Sequence, residues 1–264
     1  MSPCPVDSEG PRSPIENAYR RRAPHPDPMP ALRTPADIPV RDTTLDTVLD
    51  RHARWLRTQG TSDVDGERAD LSGCDLAGCV LTGCDLSGAA LSGASIVACD
   101  LPGGSFVGCD LSGAYLMSSD LTGCDFTGAT LSDCTFSGSD LSRASLTCCD
   151  LAGCDLSGVT LTGTNLAGCD LTGCDLAGSA LAGTVLMGAR GILALGPVGS
   201  IGRILYVVSH EDGPRAYAGC WRGTVPELRA RARRVHAGSP HAAAYDAICD
   251  YVEAHARAYG WPLS

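Results

Sequence analysis

Residues 168–178 read GCDLTGCDLAG, in which Cys169 and Cys174 stand five residues apart, each followed by an aspartate and a leucine. Cross-link, metal ligand, catalytic thiol and packing are four readings of such a pair, and the surrounding chain separates them. Outward from this stretch the five-residue beat continues in both directions. From Leu71 to Leu186 an apolar residue recurs at every fifth position, 24 in all, each a leucine except Ile96, Phe106, Phe126 and Phe136. Two residues before each centre stands a small residue, eleven times a cysteine, and two residues after it stands glycine in nineteen units. A helical period of 3.6 drifts off this beat within two units, and a strand period of two turns successive leucines to opposite faces. A chain that turns a corner once per unit keeps every centre inside, and a recurrent glycine suits the corner.

The composition agrees with a repeat. The 264 residues include 32 glycines and 15 cysteines, and ten of the 16 prolines fall in residues 1–42. No charged start leads into an apolar stretch with a cleavage site, and no apolar run approaches the roughly 18 to 20 residues that span a bilayer. We expect a soluble, cytoplasmic protein whose thiols stay reduced, with residues 1–42 a disordered, Pro/Arg-rich leader.

Units such as CDLTG, ADLSG and TNLAG resemble the pentapeptide-repeat family, A(D/N)LxX, over residues 69–189. The resemblance implies a mainly β chain: a right-handed quadrilateral β-helix with four units per coil and six coils, about 29 Å long at strand spacing. Both open ends of such a rod need covering. Residues 43–57 place Leu45, Val48, Leu49, His52 and Leu56 at helical spacing, with Thr43 or Asp42 as N-cap, and read as a lid over the first coil within a 43–68 capping segment. The stretch HARWL…GERADLSG resembles the N-terminal helix of phage and prophage members of the family. We take His52 and Trp55 as lid packing.

Beyond the β-helix (69–190), residues 191–264 read as a ββαα module. RILYVVS and RAYAGCW alternate like strands around the turn HEDGP. Thr224 and Glu227 form a capping box for a helix ending near His236. Ser239 and Pro240 open a second helix, with Tyr245, Ile248, Cys249, Val252 and Tyr259 on one face.

No feature demands a cofactor or metal. Five-residue spacing sends successive thiols to different sides of a coil, whereas zinc sites favour closely paired cysteines. Positions twenty apart stack, so Cys134, Cys154 and Cys174 form an inward column, as do Cys149 and Cys169, in a setting where cysteine acts as a small hydrophobe. Cys148, at a corner, is the best exposed thiol of the rod. Cys220 with His236 or His241 offers a Cys-His hydrolase alternative. The glycines of GPVGSIG (196–202) match neither phosphate-loop nor dinucleotide spacing. Arg222, Arg229, Arg231, Arg233 and Arg234 crowd the first C-terminal helix in a chain whose 20 basic residues are all arginine. They read as a solvated face, as docking onto the rod, or as phosphate contacts.

Charge is the most informative signal. Residues 69–189 hold thirteen aspartates against Arg143 alone, a net −12 in a chain of −10. Twelve of them directly precede an apolar centre and should face outward. Asp100, Asp120 and Asp140 stack on one side, and Asp150 with Asp170 and Asp155 with Asp175 make two shorter columns. The density is one charge per roughly 2.4 Å, against about 1.7 Å in duplex DNA. Family members that confer quinolone resistance are DNA mimics acting on DNA gyrase. This chain is similar in rod shape and sign, but its repeats lack interrupting loops and it ends in a separate module. We therefore expect a non-enzymatic, acidic scaffold that binds a protein partner through these seven aspartates, with DNA gyrase or another topoisomerase the most specific candidate. The rod itself should bind neither nucleic acid nor membrane, and a dimer is among the oligomeric options. A phage-derived structural accessory protein or secreted effector is the alternative.

Overall fold

The computed structural model describes residues 32–198, 203–219 and 221–263. Residues 33–264 form one compact unit. Its body is a ladder of single parallel bridges, each joining a residue to the one twenty positions later, from Asp70↔Ala90 to Asp170↔Arg190. A twenty-residue offset with one bridge every five residues gives a coil of four sides, so the 24 units stack as six coils. Pairing is by isolated bridges and not by continuous strands, because every side is interrupted by a corner.

All 24 corner residues are left-handed, with φ between 54° and 78°, including the non-glycines Ala98, Ser118, Asp133, Arg143 and Cys148. Glycine dominates there because other L-residues enter this region at a cost of roughly 1 kcal/mol. The centres fill the interior: Leu91, Leu111, Leu131 and Leu151 are fully buried, and Phe106 stacks on Phe126 with ring centroids 4.9 Å apart. A twenty-residue period brings like side chains together in this way on every side.

The N-terminal end is closed by more than a helix. Strands β1 (Pro39–Val40) and β2 (Thr43–Thr44) pair antiparallel ahead of helix α1 (Leu45–Thr58), whose N-cap is Thr44. The helix therefore starts later than the expected Thr43 or Asp42 cap, because the chain first pairs Thr43 and Thr44 with Val40 and Pro39. Arg33 also pairs with the first coil, its N–H donating to the Gly78 carbonyl at 2.7 Å and its own carbonyl accepting from Val80. The ordered cap thus begins inside the segment assigned to the leader, and residues 1–31 of that leader lie outside the described residues. Ile38, Val40 and Leu45 are buried against the coil.

The C-terminal module has four strands where two were expected. Strands β3 (Ile192–Val198), β4 (Arg203–Val208), β5 (Arg215–Ala218) and β6 (Trp221–Thr224) form an antiparallel sheet in that order, followed by α2 (Val225–Val235) and α3 (Pro240–Tyr259). β3 carries no clear strand pattern because ILALGPV does not alternate cleanly, and RAYAGCW is split at Gly219 by a left-handed turn. One sheet face meets the rod through Val208, Tyr217 and the partly buried Ile192 and Tyr206; the other packs Leu205, Val207 and Ala216 against Val225, Leu228, Cys249 and Val252. On α3 the buried stripe ends in Ala256, whereas Tyr259, expected on that face, is 72% exposed. The Thr224–Glu227 capping box and the Ser239–Pro240 helix start are both present.

Candidate functional site

Each repeat unit must satisfy five backbone N–H groups. Four find carbonyls: around Leu91, for example, Ala90, Leu91 and Gly93 donate to neighbouring coils and Ala94 donates to Leu91 itself. The fifth belongs to the residue after the centre, and the aspartate before the centre takes it. In eleven of the twelve units with aspartate there, Oδ1 accepts this N–H, at 2.8–3.2 Å. Asn165 does the same for Ala167 at 3.0 Å. Asp100 is the exception, since the residue two further on is Pro102, which has no N–H. The acid is first a local turn acceptor; the sequence reading missed this, although an Asx turn at a fixed offset was the available signal. Where serine follows, as at Asp110, its hydroxyl and N–H together hold the carboxyl below the ordinary range.

The remaining carboxylate oxygen faces solvent, and here the seven candidate aspartates divide. Asp100↔Asp120↔Asp140, Asp150↔Asp170 and Asp155↔Asp175 are bridged as expected. Asp170, however, pairs with Arg190 at 3.2 Å, and Asp175 is clamped by Arg222 of β6. Asp170 is thus paired within the last coil and Asp175 by the C-terminal module. At the other end Arg41 seats on Asp70 and holds its carboxyl at about 2. Among the described residues no arginine pairs with Asp100, Asp120, Asp140, Asp150 or Asp155. The first three occupy a single side, so the mid-rod face carrying them is the largest contiguous run of unneutralised acid.

The cysteines are placed for packing, with an added bond. Every cysteine preceding a centre that has a coil beneath it donates its Sγ to the carbonyl of the centre 23 residues earlier, at 2.8–3.1 Å. Ser119, Ser139 and Thr164 use their hydroxyls in the same way. The thiols are therefore weak donors as well as small hydrophobes. Burial pushes Cys124 up to about 12, and the neighbouring Cys169 thiol together with burial raises Cys149. Cys148 is exposed as expected. Among the described residues no three His, Cys, Asp or Glu side chains converge in a way that could hold a metal ion.

Two histidines close the rod ends. His52 is fully buried; its Nδ1 accepts the Ala69 N–H at 3.1 Å and its ring stacks on Trp55 at 5.3 Å, as lid packing requires. Burial lowers its pKa. At the far end His210 bonds the Tyr217 hydroxyl at 3.0 Å, which donates to the Cys174 carbonyl. Burial brings His210 down to about 4. Between the His210–Arg215 turn and Ser132, Asp133, Gly153 and Thr172 lies a cleft of about 650 Å³.

The C-terminal arginines also divide. Arg229 and Arg233 bond Asp246, Asp250 and Glu253 of α3, and Arg222 docks on the rod. Arg231 lies over the Trp221 ring, 5.7 Å from its centroid. His236 stacks on Tyr245 and meets His241 edge-on, while Cys220 and residues 199–202 of GPVGSIG lie outside the described residues.

A model of pentapeptide repeats matches residues 67–103, 97–133, 124–163 and 154–190. Among solved structures, the chain is similar to a pentapeptide repeat protein of the Arabidopsis thaliana thylakoid lumen, at 30% identity over 42% of this chain and 70% of that one, TM-score 0.30. It is similar also to HetL, involved in heterocyst differentiation regulation in the cyanobacterium Nostoc, at 26% identity, 47% and 69% coverage and TM-score 0.27. The plasmid-mediated fluoroquinolone resistance protein QnrB1 shares 21% identity over 47% and 79% of the two chains, TM-score 0.19. No curated protein matches. No helix among the described residues is long and apolar enough to cross a membrane.

Proposed function

The chain belongs to the pentapeptide-repeat family, and on that premise we propose that its rod is a non-enzymatic protein-binding scaffold whose working face carries Asp100, Asp120 and Asp140. One observation carries the reading: these carboxylates share a side and have no arginine partner among the described residues, whereas Asp70 at one end of the rod and Asp170 and Asp175 at the other are paired with Arg41, Arg190 and Arg222. A row of carboxylates at strand spacing, about 4.8 Å apart, suits a basic protein surface. Asp155 extends the field on an adjoining side, whereas Asp150 lies on the opposite side of the coil.

The most specific version is a DNA mimic that occupies the DNA-binding surface of DNA gyrase or a related topoisomerase. It draws on the sign and density of charge alone, because duplex DNA offers about one charge per 1.7 Å. Asparagine keeps the turn acceptor while removing the charge, so Asp100→Asn/Asp120→Asn/Asp140→Asn is the diagnostic variant. Capture of a partner from host lysate by wild type, lost in the triple variant and in high salt, supports the scaffold. Equal capture by both proteins sinks it. Unaltered supercoiling by gyrase at micromolar protein and low salt removes the gyrase version only.

A further inference from the structure

The cleft between β6 and α2 is lined by Trp221, Arg222, Glu227, Ala230, Arg231 and Arg234 and encloses about 520 Å³. Its arginines differ from their neighbours. Arg229 and Arg233, on the same helix, turn toward α3 and are bonded to its acids; Arg215 and Arg257 pair with Asp212 and Glu253. Arg231 and Arg234, one turn apart, have no carboxylate partner among the described residues. Arg231 rests on the Trp221 ring, and Arg222 is fixed at the rim by Asp175. The Glu227 carboxylate opposes an anion here, but one of its oxygens is turned into the helix start, accepting the Thr224 N–H at 2.8 Å.

A planar guanidinium held against an aromatic ring is pre-oriented, and two more within one cleft favour a ligand with several anionic oxygens. We propose that this cleft is a binding site for a phosphomonoester group, with Arg231 and Arg234 as its principal ligands and Arg222 as a rim contact. A dianionic tetrahedral group presents enough acceptors for both free forks at once. A carboxylate or chloride presents fewer. The site is separate from the acidic face of the rod and has the opposite charge preference.

Isothermal titration of the full-length protein with inorganic phosphate at low ionic strength tests this, with chloride at matched ionic strength as control. We expect saturable one-site binding, weakened at least about tenfold in Arg231→Ala/Arg234→Ala and unchanged in Arg257→Ala. Because Arg231 packs on Trp221, Arg234→Ala alone serves as the second variant should the double variant not fold; it too should weaken binding. Phosphoserine and a nucleoside monophosphate, both phosphomonoesters, then distinguish the source of the group. Absence of saturable binding, or equal affinity in the arginine variants, overturns the proposal.

Discussion

The Sγ of Cys154 donates to the carbonyl of Leu131 at 2.8 Å, one coil and three residues back along the chain. Ser139 makes the same connection to Leu116 with a hydroxyl. Cys154→Ala should lose that bond and leave a small void, lowering stability by about 1–2 kcal/mol, whereas Cys154→Ser should lie within about 0.5 kcal/mol of wild type. Denaturant unfolding measures both. Equal losses in the two variants would mean that the thiol contributes volume alone.

The aspartates make a sharper prediction, since Asp120 accepts the Thr122 N–H at 2.9 Å and Asp100 faces Pro102. Asp120→Ala should cost about 1 kcal/mol, and Asp100→Ala distinctly less, because no turn bond is lost. Asp120→Asn should be nearly neutral, as Asn165 shows the amide in the same role. Thermal unfolding of the three variants decides it, and an Asp100→Ala loss as large as that of Asp120→Ala would refute the turn account.

The end caps predict acid sensitivity. His52 and His210 have folded pKa values below the ordinary 6.5, His210 at about 4, with burial the leading cause in each. The unfolded chain therefore takes up more protons as pH falls. The stability these groups contribute is complete above 6.5 and is lost on descent toward the folded values. For the partly exposed His210, solvent screening reduces the effect to the order of 1 kcal/mol. Unfolding midpoints between pH 7.5 and 4.5 should fall less steeply in His210→Gln than in wild type, and parallel curves would remove His210 from the account.

Glycines that share a left-handed φ should respond unequally. Gly66, at φ 87°, would place a Cβ 2.2 Å from the Arg51 carbonyl oxygen, while one on Gly73, at φ 65°, would meet nothing within 4 Å. Gly66→Ala should loosen the N-terminal cap by more than about 2 kcal/mol, against about 1 kcal/mol for Gly73→Ala from backbone strain alone. Limited proteolysis within α1 reports the difference; similar resistance in both variants would contradict the close packing.

The cysteines of GCDLTGCDLAG illustrate how far local pattern reaches. Residue size at three fixed offsets told inside from corner, because the same demand recurs 24 times and each coil lies on a copy of itself. The inward small residues and the outward aspartates were legible from that alone, while their stacking into columns twenty residues apart followed from the coil of four units that the resemblance implies. The Asx turn was legible too, in an aspartate or asparagine recurring at one fixed offset, but the acid was taken only as charge.

What the sequence by itself determined is the five-residue register and one corner per unit, since these follow from local side-chain volume and backbone permissiveness; four units per coil came from the resemblance, and the twenty-residue bridge offset bears it out. Only the tertiary structure decided which acids remain open. Asp70 is closed by an arginine 29 residues away and Asp175 by one 47 residues away, through caps whose docking no local pattern encodes. The same holds for the strand of residues 192–198 and for the pairing of Arg33 with the first coil. Their stabilisation comes from covering an edge built elsewhere in the chain, so their own side chains carry little periodicity.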